Sequence, residues 1–172
     1  MASDNVVLIG MPGAGKSTIG VVLAKVLGYD FLDGDLLIQK QTGKTLQRLI
    51  DDFGPLGFIE IEGEVLHDIS AEKTVISPGG SAIYSDVGMS HLQQLGTIVY
   101  LEISYESLVE RLGDLHERGV VLKEGIGTDL KKLYDERKPS YEYYADITVN
   151  VDGLSITQAA RTVENLLNSP EE

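Results

Sequence analysis

The sequence has no cysteine among its 172 residues, which excludes disulfides and thiolate metal sites alike. Basic residues are scarce: 14 lysines and arginines stand against 27 aspartates and glutamates, a formal net charge of −13. A surface this acidic repels a phosphate backbone, so no nucleic-acid partner is expected. No apolar run approaches the ~20 residues that cross a bilayer. The opening Met1-Ala2-Ser3-Asp4-Asn5 lacks the basic stretch and long apolar stretch of a signal peptide. The expectation is a soluble cytoplasmic protein with no membrane partner. Internal repeats and linkers are also lacking, and the length suits one domain with a full core. His67, His91 and His116 are too scattered for metal ligation, and the first two read as surface residues.

What is present is an alternation of apolar β-branched runs with helical stretches. Val6–Ile9 reads as a buried strand, followed by a helix from Gly15 to Leu27 with Ile19, Val22, Leu23 and Val26 on one stripe. Gly28 is its expected stop. Further strands are predicted over Tyr29–Asp33, Thr74–Ser77, Thr97–Ile103 and Ile147–Val151. Thr45 opens a helix that Gly54-Pro55 breaks before it resumes towards Ile69, while Ser104 and Ser155 cap two later helices. Strands separated by helices predict βαβ units, hence a five-stranded parallel sheet in a three-layer αβα sandwich of the P-loop NTPase type. One stretch, from Gly113 to Thr128, is glycine-rich and charged and fits a lid.

Gly10-Met11-Pro12-Gly13-Ala14-Gly15-Lys16-Ser17 matches G-x-x-x-x-G-K-[ST] at every fixed position, between a strand and a helix. Glycines let the backbone wrap a phosphate with its N–H groups inward, and the helix N-terminus adds positive potential. Gly13, Ala14, Gly15, Lys16, Ser17 and Thr18 are therefore the nucleotide-binding candidates. Lys16 reaches the β- and γ-phosphates and Ser17 ligates Mg²⁺, making ATP and Mg²⁺ the expected cofactors.

Asp33-Gly34-Asp35 closes the second strand, where open parallel sheets gather their ligand groups. One carboxylate can hold a metal-bound water while the other orients and deprotonates an attacking hydroxyl. The alternative is structural: Asp33 caps a turn and Asp35 caps the next helix.

These motifs, together with Phe58-x-x-x-Glu62, Pro78-Gly79-Gly80 and Leu133-Tyr134-x-x-Arg137-x-Pro-x-Tyr141 leading into Ala145-Asp146-Ile147, resemble the shikimate kinase family over nearly the whole chain. The resemblance implies a monomeric kinase of core, lid (about 113–128) and substrate-binding helices (about 35–70) acting on a small-molecule substrate. By position, Lys16, Asp35 and Arg118 would be catalytic, and Ser17 with Asp33 would serve the metal. Arg111 would pack on adenine, and Arg118 would close over the transferred phosphate. Asp35, Gly79, Gly80 and Arg137 would bind the substrate, Arg137 through its carboxylate. Apart from the resemblance, Arg111 and Arg137 read as solvated helix charges.

Two positions depart from the family pattern. Ile59 stands where the family's F-R-x-x-E motif carries arginine, and Ser81 replaces the third glycine of G-G-G. Isoleucine cannot make the charge-assisted hydrogen bonds that a paired arginine gives a carboxylate. The expected function is phosphorylation of a hydroxyl on shikimate or a related polar metabolite. The alternative is a nucleotide-binding regulatory protein without shikimate activity.

Overall fold

The computed structural model describes residues 4–117 and 128–169, with side chains over 4–112 and 130–169. Five strands form one sheet: β1 (Asn5–Ile9), β2 (Asp30–Asp33), β3 (Thr74–Ser77), β4 (Gly96–Glu102) and β5 (Ile147–Asn150). Their order is β2-β3-β1-β4-β5, and every neighbouring pair is parallel. The central strand shows why its sequence has no alternation. Val6, Val7, Leu8 and Ile9 are each at most 3% exposed, because helices cover both faces.

The helices are α1 (Lys16–Leu27), α2 (Gly34–Thr42), α3 (Leu46–His67), α4 (Asp86–Leu95), α5 (Tyr105–Glu117), α6 (Thr128–Tyr144) and α7 (Ile156–Asn168). Their ends follow local chemistry. Gly28 and Gly43 adopt left-handed C-caps, and Ser155 forms a full capping box with Gln158. Gly54, at φ 74°, kinks α3 in front of Pro55, the break expected from the sequence.

Three features differ from the sequence reading. The supposedly irregular Gly113 to Thr128 stretch begins as helix, since α5 runs on to Glu117 and α6 starts at Thr128. Residues 118–127, with most of the assigned lid and Arg118, lie outside the described residues. The capping role falls to Asp33, not Asp35: its Oδ1 accepts the backbone N–H of Asp35 and Leu36 at 2.9 and 3.1 Å. His91 is half-buried rather than a plain surface residue, with Nε2 2.7 Å from the carbonyl of Ile69.

A buried asparagine closes the opposite end of the sheet. Asn5 Nδ2 donates to the carbonyls of Ala71 and Leu95, and its Oδ1 accepts from the N–H of Thr74. Asp146, in the Ala145-Asp146-Ile147 motif, ties β4 to β5 by accepting the N–H of Ile98 at 2.8 Å. That part of the motif is structural. No helix among the described residues is long and apolar enough to cross a membrane.

Candidate active site

The order of the sheet sets the location. On either side of β1 the chain leaves the sheet in a different direction, and the C-terminal ends of β1, β2 and β3 open onto a common crevice. A cleft of about 540 Å³ lies there, lined by the phosphate loop, Asp35, the Ser77–Gly80 segment and the start of α7.

The loop between β1 and α1 depends on glycine for its shape. Gly13 and Gly15 have φ of +91° and +98°, which L side chains rarely adopt. Lys16 is buried, and its Nζ donates to the carbonyls of Gly10 and Met11 at 2.9 and 3.0 Å. Burial disfavours its charge and lowers its pKa to about 8, against partial support from Asp35 and Asp33. An ammonium held this way is matched to a polyanion, which would restore the lost solvation. Ser17 and Thr18 are exposed on the cleft, whereas the side chain of Ala14 is buried beneath the loop. Only the backbone of Ala14 can face a phosphate.

Ser17 Oγ donates to Asp33 Oδ2 at 3.2 Å. The hydroxyl and this carboxylate oxygen are hard donors of the kind Mg²⁺ takes while keeping waters and phosphate oxygens for its other positions. Among the described residues no group of three or more His, Asp or Glu could cage a metal, so one shared with a phosphate ligand suits these two. Asp33 thus combines the two readings of its sequence position, capping α2 with one oxygen and facing Ser17 with the other.

Asp35 lines the cleft in the first turn of α2. Gly34 permits the approach, because a Cβ there would lie 3.0 Å from the α-carbon of Pro78. This packs α2 against the Pro78-Gly79-Gly80 segment. A Cβ on Gly79 would lie 2.8 Å from Asp35 Oδ1 and 3.0 Å from Glu62 Oε2. One on Gly80 would lie 2.9 Å from Arg137 Nη1 and from Pro12 Cδ. Each glycine therefore leaves room for a charged group.

Two expected surface charges are only partly exposed. Arg111 lines the cleft and donates from Nη1 to the carbonyl of Ala14 at 3.1 Å, tying α5 to the phosphate loop. Arg137 is half-buried, 5.3 Å from the centre of the Tyr84 ring. No carboxylate among the described residues forms an ion pair with it.

Three contributions go beyond the sequence reading, in which Tyr134, Tyr141 and Glu62 stand only as residues of its motifs. Tyr134 and Tyr141 stand one turn on either side of Arg137. Their hydroxyls donate to the carbonyls of Ile103 and Gly80 at 2.7 and 2.8 Å, anchoring α6 with Arg137 above the loop. The spacing in Tyr134-x-x-Arg137-x-x-x-Tyr141 was the available signal. Val151, Leu154 and Ile156 add an apolar wall near Arg111, for which the sequence offered no signal. Glu62 is 1% exposed: Oε1 accepts the Ser81 hydroxyl at 2.7 Å and Oε2 has no partner. Burial raises its pKa to about 7, against the Ser81 hydrogen bond.

A phosphate loop on β1, with the Ser17–Asp33 pair and Asp35 gathered at the same end of the sheet, is the frame of a P-loop phosphotransferase acting on an alcohol group. The sequence matches the shikimate kinase family over residues 12–168. It is 35% identical over 160 residues to the shikimate kinase of Thermodesulfovibrio yellowstonii, covering 92% of each chain. It is 36% identical over 167 residues to that of Francisella tularensis subsp. holarctica, covering 96% of this chain and 95% of the other. Among solved structures, shikimate kinase from Acinetobacter baumannii in complex with shikimate superposes with a TM-score of 0.86 at 31% identity, covering 97% of this chain and 93% of that one. The chain belongs to the shikimate kinase family.

Proposed function

We propose that the chain transfers the γ-phosphoryl group of ATP to a hydroxyl of a small polar acceptor, with shikimate the leading single candidate. The observation that carries this reading is the meeting of Lys16, the Ser17–Asp33 pair and Asp35 at one end of the sheet, against Gly79 and Gly80.

The phosphate chain lies along the loop amides, and Lys16 turns from the loop carbonyls to the β- and γ-phosphates. Arg111 and the wall of Val151, Leu154 and Ile156 flank the base. Ser17 and Asp33 would hold Mg²⁺, which would supply neutralisation of charge on the phosphate oxygens. Asp35 accepts the proton of the acceptor hydroxyl as its oxygen bonds to the γ-phosphorus. The bond to the β–γ bridging oxygen breaks and ADP leaves. Gly80 offers its N–H to the acceptor, Arg137 takes its carboxylate, and Arg118 meets the transferred phosphoryl group. The enzyme acts in the cytoplasm as a monomer.

ADP formation with Mg²⁺-ATP, with and without shikimate, tests the reading alongside Asp35→Asn. Acceptor-stimulated ADP release is expected from the wild type. Loss of the base should lower turnover by about 10²–10⁴-fold while leaving ATP affinity intact. ATP binding with no acceptor-stimulated ADP would instead support a nucleotide-binding regulatory protein.

A further inference from the structure

Arg137 takes the acceptor's carboxylate in the proposed mechanism, and Ile59 deprives it of the second arginine of the family motif. A lone arginine carries much rotamer entropy, so its grip on a carboxylate depends on how far the guanidinium is held in place beforehand. No carboxylate does this here, since none among the described residues pairs with Arg137. Glu62 is within electrostatic reach but accepts from the Ser81 hydroxyl instead.

Tyr84 holds it in two ways. Arg137 Nε donates to the Tyr84 hydroxyl at 3.4 Å, and Cζ lies over the ring, 5.3 Å from its centre. The hydrogen bond is long, so the ring contact carries more of the interaction. Nε has a single N–H. With that directed at Tyr84, the edge that can meet a carboxylate with two parallel bonds is the one bearing Nη1 and Nη2. Tyr84 is itself fixed. It ends the short helical turn Ala82–Tyr84, which follows Gly79-Gly80-Ser81 directly. The N–H groups of Ala82, Tyr84 and Ser85 donate to the carbonyls of Gly79, Ser81 and Ala82 at 3.1, 3.0 and 3.0 Å, and Ser85 caps α4. From the other side, Tyr141 ties α6 to the carbonyl of Gly80, which lines the cleft. The ring and the guanidinium thus come from two elements that are locked together at the glycine loop.

We infer that Tyr84 is a positioning residue for acceptor recognition: it holds Arg137 so that the Nη1–Nη2 edge is presented to the acceptor's carboxylate. This rests on the proposed role of Arg137 and adds the residue that sets how strongly the acid is gripped when a single arginine must do it. Tyr84 is 37% exposed, so leucine at this position leaves the core untouched.

The test is calorimetric binding to the full chain with a non-hydrolysable ATP analogue and Mg²⁺, comparing shikimate with its uncharged methyl ester. The wild type should bind the acid about tenfold or more tightly than the ester. Tyr84→Leu should weaken the acid by about five- to thirtyfold and leave the ester and the ATP analogue unchanged. Tyr84→Phe keeps the ring and should stay within about threefold of the wild type. In an Arg137→Met background, Tyr84→Leu should have no further effect, because Tyr84 acts through Arg137. No shikimate binding by the wild type, no preference for the acid, equal losses for acid and ester, an acid affinity unchanged in Tyr84→Leu, or a loss that persists without Arg137 overturns the inference. If Tyr84→Leu fails to fold, NMR of the wild type decides: the Arg137 Nε–H signal, identified by its disappearance in Arg137→Met, should be ring-shifted and protected from exchange, and a signal like that of free arginine overturns the inference. ADP release is scored separately: Tyr84-dependent acid binding without turnover defeats the kinase reading alone, and turnover with an unaltered acceptor KM in Tyr84→Leu defeats this inference alone.

Discussion

Glu62→Gln should change the pH dependence of stability in a direction fixed by the structure. Glu62 is buried beside Asp35, with Arg137 and Tyr141 also within electrostatic reach. Desolvation by burial is the largest influence on its pKa; the Ser81 hydrogen bond and Arg137 oppose it and Asp35 adds to it, giving about 7 against the ordinary 4.5. The folded state therefore binds more protons than the unfolded state between those two values. The stabilisation from this group is complete below pH 4.5 and is lost as pH rises through 7. A displacement of that size corresponds to roughly 3 kcal/mol, and partial hydration of the folded site would reduce it. Glutamine keeps the shape and cannot titrate. Thermal melts from pH 5 to pH 8 should show the wild type losing stability relative to Glu62→Gln by about 2–3 kcal/mol. For a domain this size that is roughly 4–12 °C in the difference between their Tm values. A difference that stays constant across the range would refute a buried, proton-binding Glu62.

Other perturbations follow from the same contacts. Ile59→Arg should pair the vacant oxygen of Glu62 and add a carboxylate grip, lowering KM for shikimate by about one to two powers of ten, as steady-state kinetics would show. Gly80→Ala would place a methyl 2.9 Å from Arg137 Nη1 and from Pro12 Cδ. It should raise the acceptor KM more than the ATP KM, measured by varying each substrate in turn. Tyr141→Phe removes the 2.8 Å bond to the Gly80 carbonyl, costing about 1 kcal/mol in denaturant unfolding and weakening acceptor binding through the loop.

The phosphate loop and the sheet were legible in the sequence because both are governed locally. A loop that wraps a phosphate needs glycines at fixed intervals and one lysine at its end, so Gly10 to Ser17 shows its purpose without a partner segment. The strands were equally plain, because Val6–Ile9 and Thr74–Ser77 are buried on both faces and leave a continuous apolar run. Thr45, Ser155 and Gly28 marked their helix ends because a cap acts on the adjacent turn.

Other features depended on segments far apart in the chain. That Asp33 both caps α2 and faces Ser17 depends on parallel pairing of β2 beside β3, which sets the angle at which the carboxylate leaves the strand. Arg111 and Arg137 looked like solvated charges. Their surroundings come from the phosphate loop and from Tyr84, 97 and 53 residues away. Glu62 was visible as a motif residue, but its half-satisfied carboxylate was not. Its state depends on Ser81, 19 residues on, and on a glycine loop carried to it by β3. Sequence by itself determined the class of chemistry, because phosphate binding is written in consecutive residues. Tertiary structure alone decided the charge balance at the acceptor end, because buried charges respond to everything folded around them.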